Sequence, residues 1–577
     1  MITVDDAPYA ARLVTDARVR SDGFVARAAQ PLTGLGPRPT MRAITSLVAQ
    51  AIAEGDERPE HQDAAEQYLR HLAGQQLESG LFSSSGNLAS PPDTAFTLND
   101  LCGCVELLDR HRPAGFEPLR AGLAAIAVAA SPAMLAGGVH TPNHRWELAS
   151  ALAALAVHVH GGRGAAGASS PMAAALLDRA DAWLAEGIDI DADGQYSERS
   201  AVYATEVTNP SLLALAHDLD RPALLDPVRR NLRAIAGLVE DDGEIECVHS
   251  RRQDQTIPYD VENLLSPYRL LAIEDGDRDA ARIVAQILGR ELREPERHLA
   301  ELLRRPEIGG VLPEPAPTPG SVTCAYPVSR LLRRREGALS VSVSAGSDFA
   351  STGRIGSGLA NSATLVRARA HGLVLRSLRV SPAFFSLGCA RPQTLEPTER
   401  GAVLVERRVS GYYDTLGADA PAPTAVPDSE GRFFSVMDFA RRDRFEVELR
   451  TEVAVEVDET GIDVRLSFAG LETRYALELV IDGDGDGDGD ATVEGAVRTE
   501  DGWWLDGGSA EVRTGSIRTG SAALSIATDP GDGVPPVFDD GEMFTYVGGA
   551  DRIAGTRILL GGSTTEPRRL RLEIAPR

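Results

Sequence analysis

The sequence predicts a multidomain chain of the α+β class: an N-terminal (α/α) helical toroid followed by a C-terminal antiparallel β-sandwich. Three observations predict it. From position 41 to about 304, apolar residues recur at helical spacing over stretches of roughly 12–18 positions, each closed by Gly, Pro, Asp or Ser. The run RPEIGGVLPEPAPTPGS at 305–321 is dense in Pro and Gly. Beyond it the pattern changes to strict alternation of apolar and polar residues between turn signals. A chain of 577 residues is also too long for one hydrophobic core.

The helical segments fall at 41–53, 62–77, 96–110, 118–130, 144–160, 172–186, 211–219, 227–239, 261–273, 279–288 and 295–303. With no β-periodic segment of comparable strength among them, they must bury their apolar stripes on one another. A solenoid of known type carries a consensus at fixed period, and none is found, so a closed toroid of helical hairpins is expected. Its domain is 1–310, followed by a Pro-rich linker at 311–322 and a sandwich at 323–577. In the sandwich half, ALSVSVSAGSDFAST, SATLVRARAHGLVLRSLRV, GAVLVERRVSGYY, RFEVELRTEVAVEVDETGIDVRLSFAG, YALELVIDG, ATVEGAV, SAEVRTGSI, ALSIAT and RRLRLEIA read as strands. The run DGDGDGDGD at 482–490 lacks the bidentate Glu of an EF-hand loop and reads as a solvated hairpin loop.

Composition limits the function. At 43% hydrophobic and 25% charged the chain is globular, and a net charge of -26 repels nucleic acid and anionic lipid. All 58 basic residues are arginines, a bias of composition rather than a signal of function. The first residues, MITVDDAPYAARLV, have acids where an export signal needs bases, and the apolar run 121–130 stops at Ser131-Pro132, short of a membrane span. The five scattered cysteines fit a reducing, cytoplasmic setting. Cys102-Gly-Cys104 is too closely spaced for a zinc knuckle, and no metal or cofactor is expected. There is no GxxxxGK[ST], HExxH or GxSxG; the glycines of 353–358 lack the strand-to-helix setting of a nucleotide loop.

Three polar clusters interrupt the helical half. Thr141-Pro142-Asn143-His144-Arg145-Trp146 opens a strongly apolar helix, where Asn143 is either a helix cap or a working carboxamide. Asp193-Gly194-Gln195-Tyr196-Ser197-Glu198-Arg199-Ser200-Ala201-Val202-Tyr203 is a turn leading into another helix, its Glu and Arg either a surface ion pair or part of a sugar-binding set. His249-Ser250-Arg251-Arg252-Gln253-Asp254 is either an exposed polar loop or a third wall of a site.

In this order the clusters resemble the heparinase II/III and alginate-lyase superfamily of polysaccharide lyases, where an Asn-His pair in a helical toroid precedes a D-G-x-Y-x-E-G loop, a tyrosine and a further histidine. Arg199 stands where that loop has its second glycine. SPPDTAF at 90–96 and SPAFFSLG at 381–388 also resemble pieces of such lyases. The resemblance implies β-elimination from a uronic acid oligosaccharide or polysaccharide, leaving an unsaturated uronate; the cytoplasmic setting favours short oligosaccharides over intact polymer, hence an exo-acting enzyme. Its implied catalytic residues are Asn143, His144, Tyr203 and His249. The carboxamide and a cation would stabilise charge developing on the carboxyl group while the C5 proton leaves, and Tyr203 would act as base, acid or both. Asp93, Arg145, Trp146, Tyr196, Glu198, Arg199, Arg251 and Arg252 are the expected substrate contacts, the aromatics by stacking and the arginines by gripping carboxylates. Two other readings remain: a toroid glycoside hydrolase using two carboxyls among Asp93, Glu198 and Asp254, and a non-catalytic carbohydrate-binding protein.

Overall fold

Five helices of the first half open on a proline, which fits the first helical turn because its missing N–H would have had no partner there. The computed structural model describes residues 4–576 except 56–58, 85, 162–169, 256, 348–361, 418–436, 483–490, 517–519 and 542–552. The chain divides into two units: Met1–Ser250 with Ile257–Thr318, and Arg251–Thr256 with Pro319–Arg577.

The first unit contains α1 (Ala7–Ala28), α2 (Pro37–Glu54), α3 (Pro59–Gln75), α4 (Pro91–His111), α5 (Glu117–Ala136), α6 (His144–Ala154), α7 (Pro171–Leu184), the single turn α8 (Ala201–Tyr203), α9 (Asn209–Asp218), α10 (Leu225–Ala236), α11 (Leu265–Asp275), α12 (Arg278–Leu288) and α13 (Pro295–Arg304). Burial separates two layers. Helix α2 buries 12 of 18 residues and α6 buries 9 of 11, whereas α3 buries 5 of 17 and α7 only 3 of 14. The first pair is covered on all sides and lies inside; the second pair is covered on one stripe and lies outside. Inner helices pack in succession, α2 on α4, α4 on α6 and α6 on α9, and α13 returns to α1 and α2 to close the ring.

Arg269, fully buried on α11, fastens that closure. Its Nε donates to Ile308 O at 2.6 Å, its Nη2 to Gly310 O and Asp6 Oδ2 at 2.9 Å each, and its guanidinium lies 3.7 Å from the Tyr9 ring centroid. Asp6 also accepts from Tyr9 N, which caps α1.

The helical pattern read from the sequence starts too late, because α1 covers its partners with small residues, Ala10, Ala17 and Ser21 among them. Helix α5 also runs past Ser131-Pro132, which the sequence reading took as its end. Ser131 Oγ donates to Ala127 O at 2.9 Å, folding its side chain back onto the preceding turn of the helix. At this full length α5 is long and apolar enough to cross a membrane by composition, yet it packs on α3, α4, α6 and α7. Two wide π-turns, Leu155–Val159 after α6 and Ala204–Thr208 between α8 and α9, are invisible to a periodicity of 3.6.

The second unit holds a nine-stranded and an eight-stranded sheet. Pairing among the described strands is antiparallel except where Gly502–Trp504 runs parallel to Thr556–Ser563. Alternation does what the sequence reading expects of it: along Arg444–Val457, Leu449, Thr451, Val453, Val455 and Val457 point inward, and Ile462, Val464 and Leu466 of the neighbouring strand join them. The strand Leu331–Glu336 was not legible, since LLRRRE alternates poorly; its Arg333 is buried and donates to Ser342 Oγ at 2.8 Å. The strand Ser321–Tyr326 begins inside the stretch read as linker. Of the Asp-Gly run, Asp482 ends a strand and accepts from Arg376 Nε at 2.6 Å; 483–490 and the glycines of 353–358 lie outside the described residues.

Candidate active site

Asn143 occupies the N-cap position of α6 with helical backbone angles, φ -64° and ψ -30°, and its side chain makes no capping hydrogen bond. The carboxamide is therefore not engaged in ending the helix. Its Nδ2 donates to a Glu198 carboxylate oxygen, and its buried Oδ1 accepts from no group among the described residues. His144 follows as the first residue of α6, with its ring edge-on to His140 at 4.9 Å and to Phe96 at 5.9 Å between centroids. The guanidinium of Arg38 lies 3.4 Å from the Phe96 centroid on the first turn of α2, and its Nη2 donates to Asp93 Oδ1 at 3.0 Å.

The second cluster folds as a turn that delivers Glu198 and Tyr203. Asp191 Oδ1 accepts from the amides of Asp193 and Gln195 at 2.9 Å each. Gly194 has φ +79°, and a Cβ there would stand 2.7 Å from Arg230 O, so glycine is required. Arg199 has φ +49°, the left-handed conformation that glycine adopts freely. The backbone thus keeps the bend at the position where the resembling loop has glycine, with a side chain that carries it at a steric cost. Ser200 Oγ then accepts from Tyr203 N at 3.1 Å and starts α8. Tyr203 is half-buried and lies within electrostatic reach of Arg38, whose pKa burial lowers against the opposing charges of Asp93, Glu147 and Asp100. Asn143, His144, Glu198, Tyr203, Asp93, Phe96 and Arg38 are thereby gathered at one end of the inner helices.

Other expected contacts are placed differently. Trp146 is 1% exposed and donates from Nε1 to Asp189 at 3.1 Å; Tyr196 is 5% exposed and donates to Asn209 Oδ1 at 2.7 Å. Neither ring presents a face to a sugar, because both are packed into the helical core. Arg145 is held between Glu186 and Asp189, each at 3.0 Å, so its charge is already neutralised. Asp93 accepts from Asn87 Nδ2 at 2.9 Å and Ser90 Oγ at 2.7 Å in addition to Arg38, leaving it a positioning group rather than a sugar ligand. His249 is buried in the first unit, whereas Arg251, Arg252 and Asp254 belong to the second.

Several polar groups of the inner layer went unnoticed in the sequence. Glu147, one turn along α6 from Asn143, is buried and accepts from Asn99 Nδ2 at 2.6 Å and Ser211 Oγ at 2.9 Å; burial pushes its carboxyl up to about 7. Its signal was present: it is a single carboxylate inside ELASALAALAV. Glu206, on the π-turn after Tyr203, accepts from Tyr259, from Asn263 at 2.7 Å and from Arg297 at 2.7 Å. Burial raises the Asp100 carboxyl despite Arg297, Arg42, Arg304 and Arg38 around it, although solvent reaches the residue. Among the described residues no group of three or more His, Cys, Asp or Glu side chains is placed to hold a metal ion.

No protein-family model matches the chain, and no curated protein matches it. Among solved structures it is similar to heparinase III, at 12% identity and a TM-score of 0.50, over 93% of this chain and 76% of that one. A chondroitin AC lyase of Streptomyces coelicolor A3, solved as a tyrosine-to-alanine mutant, is similar at 16% identity and a TM-score of 0.45, over 98% of this chain and 77% of that one. A GH127 β-arabinofuranosidase is similar at 10% identity and a TM-score of 0.34, over 99% of this chain and 93% of that one. The latter two are too distant in backbone to bear on the argument. The likeness to heparinase III concerns the fold alone: a helical toroid followed by an antiparallel β-sandwich.

Proposed function

We propose that the protein is a lyase that cleaves a glycosidic bond to a uronic acid by β-elimination, releasing an unsaturated uronate. The observation that carries this reading is Asn143: a buried carboxamide, free of any capping role, fixed by Glu198 beside His144. Elimination needs donors aimed at the carboxyl group of the sugar so that charge can develop there as C5–H breaks; an amide N–H and an imidazole N–H are such donors. The Tyr203 phenolate takes the C5 proton, and the phenol so formed returns it to the departing O4, which leaves with the C4–O electron pair while the C5–H electron pair becomes the double bond. The five free thiols fit a cytoplasmic enzyme trimming short oligosaccharides from one end.

The test is a panel of uronate oligosaccharides followed by the ultraviolet absorbance of the conjugated product and by product mass. The expected result is an unsaturated product, with Asn143→Ala lowering kcat by about 10²–10³ and Tyr203→Phe abolishing turnover while oligosaccharide binding persists. Products whose mass has gained water and that lack the chromophore would establish hydrolysis instead.

A further inference from the structure

We propose that Arg38 binds the carboxylate of the sugar that loses its C5 proton, and so makes this site select a uronate over the corresponding neutral hexose. The inference rests on the elimination reading and assigns its substrate-recognising cation. Arg38 stands between Pro37 and Pro39 at the start of α2, where two fixed φ angles give the side chain a rigid base. The helix N-terminus adds partial positive charge of its own. One face of the guanidinium lies on Phe96, and Nη2 is tied to Asp93.

Asp93 is in turn fixed by Asn87 and Ser90, and its side chain is 10% exposed against 43% for Arg38. The anchor is thus buried and the cation is presented. A guanidinium has five donors in one plane and can serve a carboxylate on each of two edges, so the Asp93 pair orients Arg38 without saturating it. Its buried Nε–H has no acceptor among the described residues. Phe96, on which it lies, borders His144, so an anion on the open edge of Arg38 sits one ring away from the Asn143-His144 pair. Among the arginines of this unit expected to grip a carboxylate, Arg145 is already held by two and Arg199 is buried.

The experiment compares the full-length wild type, Arg38→Lys and Arg38→Met. Each is titrated calorimetrically with an oligouronate and with the same oligosaccharide after reduction of its carboxyl groups, and each is assayed for unsaturated product; unfolding midpoints verify that the variants are folded. Expected is a loss of about tenfold or more in oligouronate affinity for Arg38→Met, partial recovery in Arg38→Lys, and equally weak binding of the reduced sugar by all three. Equal losses on both sugars, or unchanged kcat/KM in Arg38→Met, overturn the assignment and leave the elimination reading standing. Arg38-dependent binding by a wild type that forms no unsaturated product supports the assignment and removes the elimination reading. A wild type that binds neither sugar removes both.

Discussion

Glu147 holds its proton in the folded chain at a pH where a carboxyl in water has lost it. Burial is the main cause, opposed by hydrogen bonds from Asn99 and Ser211 and by the Arg38 charge. The folded-state value of about 7 lies above the ordinary 4.5, so the folded chain binds the proton more tightly than the unfolded one. The resulting destabilisation is absent below the ordinary value, grows between the two and is constant above the higher one, at about 3 kcal/mol. Glu147→Gln keeps both polar contacts, because the Ser211 hydroxyl can turn to accept. Urea unfolding near pH 5 and pH 8 should show the wild type losing most of that, about 2.5 kcal/mol, relative to the variant; parallel profiles would refute it. At this scale the sequence was partly readable. Asn143, His144 and Tyr203 stand in a motif, whereas Arg38 lies in GPRPT, outside every polar cluster the sequence singles out, until the fold brings Phe96 and Asp93 to it.

Between elements, a tight constraint lies where the turn before α4 meets α5. Gly80 has φ +83°, and a Cβ there would stand 2.2 Å from Ala129 O and 2.9 Å from Ala130 Cα. Gly55, at the end of α2, has φ +70° with nothing within 4 Å of the same position. Both substitutions to Ala carry the left-handed cost, about 1 kcal/mol, but only Gly80→Ala also pushes a backbone apart. It should destabilise by roughly 3 kcal/mol or more, with Gly55→Ala as the control; equal shifts in the two unfolding midpoints would show that the contact relaxes. Such approaches are not encoded as periodicity, which is why α5 was read as stopping at its proline and α1, with its small-residue stripe, was not read at all. Helices with wide apolar stripes and strands with clean alternation were legible because burial repeats at their own period.

For the chain as a whole, the two-part architecture could be read from the switch in period, but the closure of the ring could not. Arg269 reaches Asp6 across 263 positions, and no local pattern announces that pairing. Arg269→Met leaves the carbonyls of Ile308 and Gly310 and the Asp6 carboxylate without their donor; a loss of about 3–5 kcal/mol is expected, measured as a lower unfolding midpoint of the helical unit. An unchanged midpoint would mean that helix packing alone closes the ring.

That clasp also orders events during synthesis. Asp6 leaves the ribosome well before its partners, Arg269 on α11, 263 positions further on, and the Gly309 carbonyl that accepts from its backbone N–H. Until then α1 has no α13 to cover it, and the growing chain carries an unfinished ring with apolar flanks open to chaperones.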